Sequence, residues 1–343
     1  MAQPYQADII NEVSRERKRP EYEVNETPLT STSPPRWLHR WAVVTVCATF
    51  PLLLLGAEVT TKGVGMVDQR GLRAPWHFFQ VFLEDKGLGW IIEHGHRLAG
   101  FIVGTCVIVL ALGLWLREPR RWLRWLGLAA LGAVCLQGIL GIFRIELNEL
   151  LGKTLALVHG CFAQLVFALF VSLALFTSRS WMTFRNQAFH SPSLKHWSLA
   201  TVTLVFVQLV VGSVVRHQDH PLAGRAHLIL AFCVLAAIVW LAKLAFEIPG
   251  PKPVLPIVFL LCLVALQIFL GVESWLSKFF FEGSPWRALE PLPLHPELFR
   301  SLHYVTGTLI FAASVVITLY AHQNVRLAEK PSAVPAGHLE GVA

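Results

Sequence analysis

The sequence predicts an all-α integral membrane protein of eight transmembrane helices, and three observations carry that prediction. Charged residues make up only 15% of the 343 and hydrophobic residues 54%, whereas a soluble domain carries about 25% charged residues. Apolar runs near the length of about 20 residues that a bilayer-spanning helix requires recur eight times. They fall at 41–60, 90–116, 123–143, 154–177, 197–215, 224–246, 253–273 and 300–322. The mean hydropathy of +0.54 agrees.

The basic residues then orient these spans. With both termini on one side, that side holds 17 of the 29 Lys/Arg and 10 of the 22 Asp/Glu, so the whole formal charge of +7 lies there. Arg117, Arg120, Arg121 and Arg124 crowd one short loop of it. Positive charge concentrates on the cytoplasmic face of membrane proteins. The expected location is a bacterial inner membrane with N and C termini cytoplasmic, ahead of a mitochondrial inner membrane. Topology accounts for the basic excess, so no nucleic-acid partner is implied; membrane lipid is.

The six cysteines all lie inside apolar runs and form no CxxC, which makes them small packing residues. Residues 1–36 mix acids, bases, Ser, Thr and Pro without an apolar stretch, and read as a cytoplasmic tail rather than a signal peptide. Residues 326–343 read as a second tail.

The spans show an internal duplication. Odd-numbered spans repeat Gln137-x3-Gly141, Gln208-x3-Gly212 and Gln267-x3-Gly271, with a weaker Leu52-x3-Gly56. Even-numbered spans carry His96, His159, His227 and His303, each followed four residues later by Gly or Ala. Residues i and i+4 share a helix face, so each imidazole projects beside a flat patch. Two tandem four-helix bundles follow, residues 37–178 and 179–325. An even number of spans per copy gives both the same orientation, so a pseudo-twofold axis along the membrane normal is expected.

Ionisable groups inside a membrane are costly and functional as a rule. Four histidines at equivalent depth on alternate spans therefore read as two ligand pairs. The other ten histidines, His77, His94 and His217 among them, fall in or beside loops and read as solvated or structural. Zinc is disfavoured because no Cys, His or carboxylate ligands cluster at short spacing. The three methionines, Met1, Met66 and Met182, all lie outside the spans, which excludes His/Met ligation within them. Bis-histidine haem remains. Arg97, Arg216, Arg225 and Arg300, at the outer helix ends, are candidates to pair with ring propionates. Glu93 precedes His96 by one turn on the same face; it is either a carboxylate acting at the ring edge or the partner of Arg97.

These residues resemble the haem A synthase family of cytochrome oxidase assembly, over about residues 40–322. The resemblance rests on Glu93-His94-Gly95-His96-Arg97, on single histidines at 159, 227 and 303, and on the duplicated eight-helix plan. It implies an oxidoreductase that converts the C8 methyl of haem O to a formyl group by successive hydroxylations. It implies that His96 and His159, with Glu93 catalytic, hold the substrate haem in the N-terminal half, while His227 and His303 hold a haem b in the C-terminal half. Haem O synthase, an electron donor of quinol or ferredoxin type, and a homo-oligomer are the partners it suggests. The chain departs from the family in lacking a cysteine pair in the first outer loop, where it reads Thr61-Lys62-Gly63-Val64-Gly65-Met66-Val67-Asp68-Gln69-Arg70.

Two other functions compete. A di-haem b-type electron-transfer protein would stack haems across the bilayer, whereas these four ligands share one side. A transporter would need broken or polar helices near the midplane, whereas these spans are apolar with their chemistry at one end.

Overall fold

The computed structural model describes residues 35–70, 76–77, 80–81, 87–184, 191–218, 220–247, 254–276 and 296–323. Both expected tails lie almost wholly outside them. Eight long helices appear: α1 Arg36–Thr61, α2 Leu88–Arg117, α3 Arg121–Glu146, α4 Asn148–Thr177, α5 Pro192–His217, α6 Pro221–Glu247, α7 Val254–Leu276 and α8 Pro296–Ala321. A six-residue helical segment, Arg179–Phe184, leads out of α4. No strand occurs among the described residues.

Each long helix is apolar and long enough to cross a membrane, because 23 residues at 1.5 Å rise already span about 35 Å. Leu116, Leu150, Ile229, Phe232 and Leu255 stand out on the bundle exterior. Such a surface would aggregate in water, but hydrocarbon matches it. The chain is a multi-pass membrane protein.

Packing follows the duplication. In the first half α1 packs on α2, α3 on α4, and α1 on α4; the second half repeats this with α5 on α6, α7 on α8, and α5 on α8. Leu38, Leu110, Leu114, Leu123, Phe170 and Leu173 fill the first core. Leu194, Ile238, Leu241, Ile257, Leu260 and Ile317 fill the second. The halves meet through α8 with α1, α4 with α5, and α4 with α8, where Leu53, Phe167 and Ala312 form a small third cluster.

Two sets of polar contacts identify the ends of the bundle. At one end His39 Nδ1 donates to Ala174 O (3.1 Å), and Ser180 Oγ lies 3.2 Å from the Tyr320 hydroxyl. The start of α1 and the ends of α4 and α8 therefore lie together. At the other end the Thr61 and Ser301 hydroxyls are 3.0 Å apart. Arg216 there donates to Ala57 O (2.6 Å) and to Thr61 Oγ1 (2.7 Å), and its guanidinium lies 5.1 Å over the Tyr304 ring. Helix α1 stops at this end because Gly63 turns into the left-handed region, with φ of 67°, a conformation that costs glycine nothing.

Candidate functional site

All four periodic histidines sit within about three turns of the starts of α2, α4, α6 and α8, at the Thr61–Ser301 end. Each imidazole lies on a glycine of the preceding helix. A Cβ built on Gly56 would stand 2.8 Å from His96 Cε1, and the corresponding distances are 3.4 Å for Gly141 to His159, 2.9 Å for Gly212 to His227, and 3.0 Å for Gly271 to His303. Contacts under 3.0 Å are essentially never made by a real Cβ, so Gly56 and Gly212 open the slots that their rings occupy, while Gly271 and Gly141 leave tight to ordinary contacts. The odd-span motif is thus the seat of the even-span histidine.

The glutamine of that motif completes the seat. Gln137 Nε2 donates to His159 O (3.0 Å), and Gln208 Nε2 donates to His227 O (2.9 Å). Gln267 Nε2 lies 3.2 Å from His303 Nε2. In the first copy Leu52 replaces glutamine, and its backbone carbonyl accepts a bond from His96 Nδ1 (3.1 Å) instead. That bond places the His96 proton on Nδ1 and leaves Nε2 as the basic nitrogen, the usual support for a ligating imidazole.

One pair of these rings is face to edge: His227 and His303 have centroids 6.2 Å apart with planes at 73°. Nδ1 of His159, His227 and His303 is buried with no hydrogen-bond partner in the protein. Buried nitrogens are normally satisfied, so three orphans on the four repeated rings fit a site that receives a group between them. A separation of 6.2 Å accommodates one metal ion with bonds of about 2 Å on either side.

Glu93 is buried with a closed set of partners. Its Oε1 accepts from Arg97 Nη2 (2.6 Å) and its Oε2 from the Asp68 backbone N–H (2.9 Å). Of the two readings of Glu93, the ion pair with Arg97 is present. Asp68, in the loop after α1, ties the cluster together. Its Oδ2 takes His77 Nδ1 (2.9 Å), His94 Nε2 (3.1 Å) and Arg97 Nη1 (3.3 Å), while Oδ1 takes the Arg70 N–H (3.1 Å). Burial opposes ionisation, yet the bonds from His77, Arg70 and His94 and the charge of Arg97 outweigh it and hold the Asp68 carboxyl at about 2. His94 is fully buried, stacked on Trp90 at 3.7 Å, and faces acceptors at both nitrogens: Trp90 O (3.0 Å) and Asp68. Asp68, His77 and His94 have donor atoms close enough to surround a cation, but Arg97 already brings a positive charge to the shared oxygen, which makes this a closed ion cluster.

The four expected propionate partners divide. Arg97 and Arg216 direct their donors into the protein, the first to Glu93 and Asp68, the second to Ala57 and Thr61. Arg225 is exposed on α6. Arg300 has other contacts and keeps Nε buried without a hydrogen bond. Sequence reasoning missed Arg144, near the end of α3, whose Nη2 would lie 2.5 Å from a Cβ on Gly65. The signal was available, because Arg144 is a charge directly after the apolar run 123–143, three residues after Gly141.

Comparison with known proteins gives matches to part of the chain. Residues 77–224 match the family model described as cytochrome oxidase assembly protein, a stretch that contains Glu93, His96 and His159. A "Heme A synthase" of Alkalihalophilus pseudofirmus is 25% identical over 184 residues, 53% of this chain and 61% of that protein. A "Heme A synthase" of Shouchella clausii is 28% identical over 191 residues, 54% of this chain and 61% of that protein. The human "Heme A synthase COX15" is 27% identical over 169 residues, 42% of this chain and 40% of that protein. The matched region spans about three fifths of the length of the bacterial haem A synthases.

Proposed function

We propose that this protein is a haem A synthase, oxidising the C8 methyl of haem O to a formyl group in two pockets of different duty. The observation that carries the reading is the fourfold repetition of an imidazole seated on a glycine at one end of the bundle, with the His227 and His303 rings 6.2 Å apart. His96 and His159 would hold the substrate ring in residues 37–178, and His227 and His303 a haem b in residues 179–325. The bound haem b would supply one-electron chemistry that amino-acid side chains lack.

The chain's own residues do the rest. The four glycines set the depth of each imidazole, and Leu52 O and the glutamine amides fix backbone or ring orientation around it. Glu93 stands one turn from His96, anchored by Arg97 and the Asp68 N–H, so its carboxylate is fixed at the ring edge without a conformational search. A carboxylate held there can accept a proton as the methyl group is oxidised or stabilise positive charge that develops on it. Asp68 bonds His77 and His94, which ties the described start of the first outer loop to helix α2. The neighbour pattern shared by the halves supports a pseudo-twofold relation along the membrane normal, with both termini cytoplasmic in a bacterial inner membrane. A quinol or ferredoxin-like donor, haem O synthase and a second copy of the chain are the partners such a reaction would draw on.

Supplying haem O to cells that express the protein, then analysing extracted haems by mass, tests the reading. The synthase yields haem in which one CH3 has become CHO. A di-haem electron-transfer protein leaves haem O unchanged.

A further inference from the structure

We propose that Arg144 is the anchor for a carboxylate of the ring taken up by the N-terminal pocket, the ligand class being a planar macrocycle with carboxylate side chains. The inference rests on the function proposed above and names how that pocket recognises its substrate. Helix α3 places Arg144 three residues after Gly141, the seat of His159, so guanidinium and imidazole share one face of the pocket. The guanidinium lies within electrostatic range of His96, His159 and Glu93. Gly65 of the first outer loop lies directly against it: a Cβ there would stand 2.5 Å from Nη2 and 3.1 Å from Cζ.

What sets Arg144 apart is its unused donors. It makes no hydrogen bond or ion-pair contact among the described residues, although a guanidinium carries five N–H groups. Arg97 and Arg216 have theirs directed to Glu93, Asp68, Ala57 and Thr61. The Glu93 oxygens accept from the Asp68 N–H and from Arg97, and no hydrogen bond joins Glu93 to Arg144. A partly buried cation with unused donors, on the helix that seats His159 and at the same end of the bundle as His96, is suited to a carboxylate. The planar fork matches both carboxylate oxygens at once, which a lysine ammonium does not.

The test is an absorbance titration of the purified full chain, its C-terminal pocket filled, with protohaem and separately with protohaem dimethyl ester. Wild type should bind the free acid about 10- to 100-fold more tightly than the ester, the worth of a hydrogen-bonded charge pair. In Arg144→Gln the free acid should weaken by a similar factor and the difference between acid and ester should collapse. Arg144→Lys should recover part of it. Equal binding of acid and ester by wild type, or a preference that survives in Arg144→Gln, would mean an interfacial arginine only and would overturn the anchor alone. Binding of neither form by wild type would overturn the ring pocket itself and the anchor with it. Should Arg144→Gln fail to accumulate, the wild-type ester comparison with Arg144→Lys decides in the same way.

Discussion

Gly56 and His96 touch so closely that a Cβ on the glycine would stand 2.8 Å from the imidazole Cε1. Helix α1 therefore has no side chain at the one place where α2 presents its ligand. The same relation recurs at Gly212 with His227 and at Gly271 with His303, and in looser form at Gly141 with His159. A graded prediction follows from the distances. Gly56→Ala, Gly212→Ala and Gly271→Ala each push an imidazole off its seat, at a cost of about 1–3 kcal/mol for overpacking. Each should lower ring retention about tenfold, read from the absorbance of purified protein. Gly141→Ala, at 3.4 Å, should retain more ring than the other three.

Glu93→Gln keeps the size of the side chain and its ability to accept from the Asp68 N–H, but it can neither carry charge nor exchange a proton. It should retain the rings and lose oxidation, with hydroxylated haem accumulating. Product per bound haem is the quantity to measure. Near-normal turnover would leave Glu93 as the structural partner of Arg97 and nothing more.

Asp68 provides a pH dependence whose sign is fixed by its environment. Its folded value, about 2, lies below the ordinary 3.8. The stabilisation is therefore fully present above 3.8 and is lost as pH falls through the interval down to about 2. Asp68→Asn should remove it at neutral pH, costing roughly 1–3 kcal/mol because Arg97 and His94 lose their acceptor. Thermal unfolding of the purified protein across that acid range should show the step in wild type and not in the variant.

Reporter fusions placed after residues 70 and 330 should give opposite signals, because an odd number of spans separates them. Matching signals would overturn the eight-span topology.

Spans, duplication and the four histidines were legible in the sequence because each is a periodic signal: hydrophobic length, Gln-x3-Gly on odd spans and a lone histidine on even ones. Three features were not. The glycines read as general helix-packing residues, since nothing local says that Gly56 serves the ring of His96 forty residues later. Arg97 and Arg216 read as open to propionates because their acceptors come from elsewhere: the side chain and carbonyl of Asp68, and the Ala57 carbonyl. Arg144 escaped notice for the converse reason, since an arginine at the edge of an apolar span looks like a snorkelling residue until its donors are traced.

The central claim is that the chain holds two rings in independent pockets, one per half. Haem content per polypeptide, measured by absorbance after saturation with haem O, tests it most directly. The account predicts two rings in wild type, loss of only the haem O ring in His96→Ala or His159→Ala, and loss of only the haem b in His227→Ala or His303→Ala. A single ring per chain, or loss of both rings from any one substitution in a protein that still folds, would contradict it.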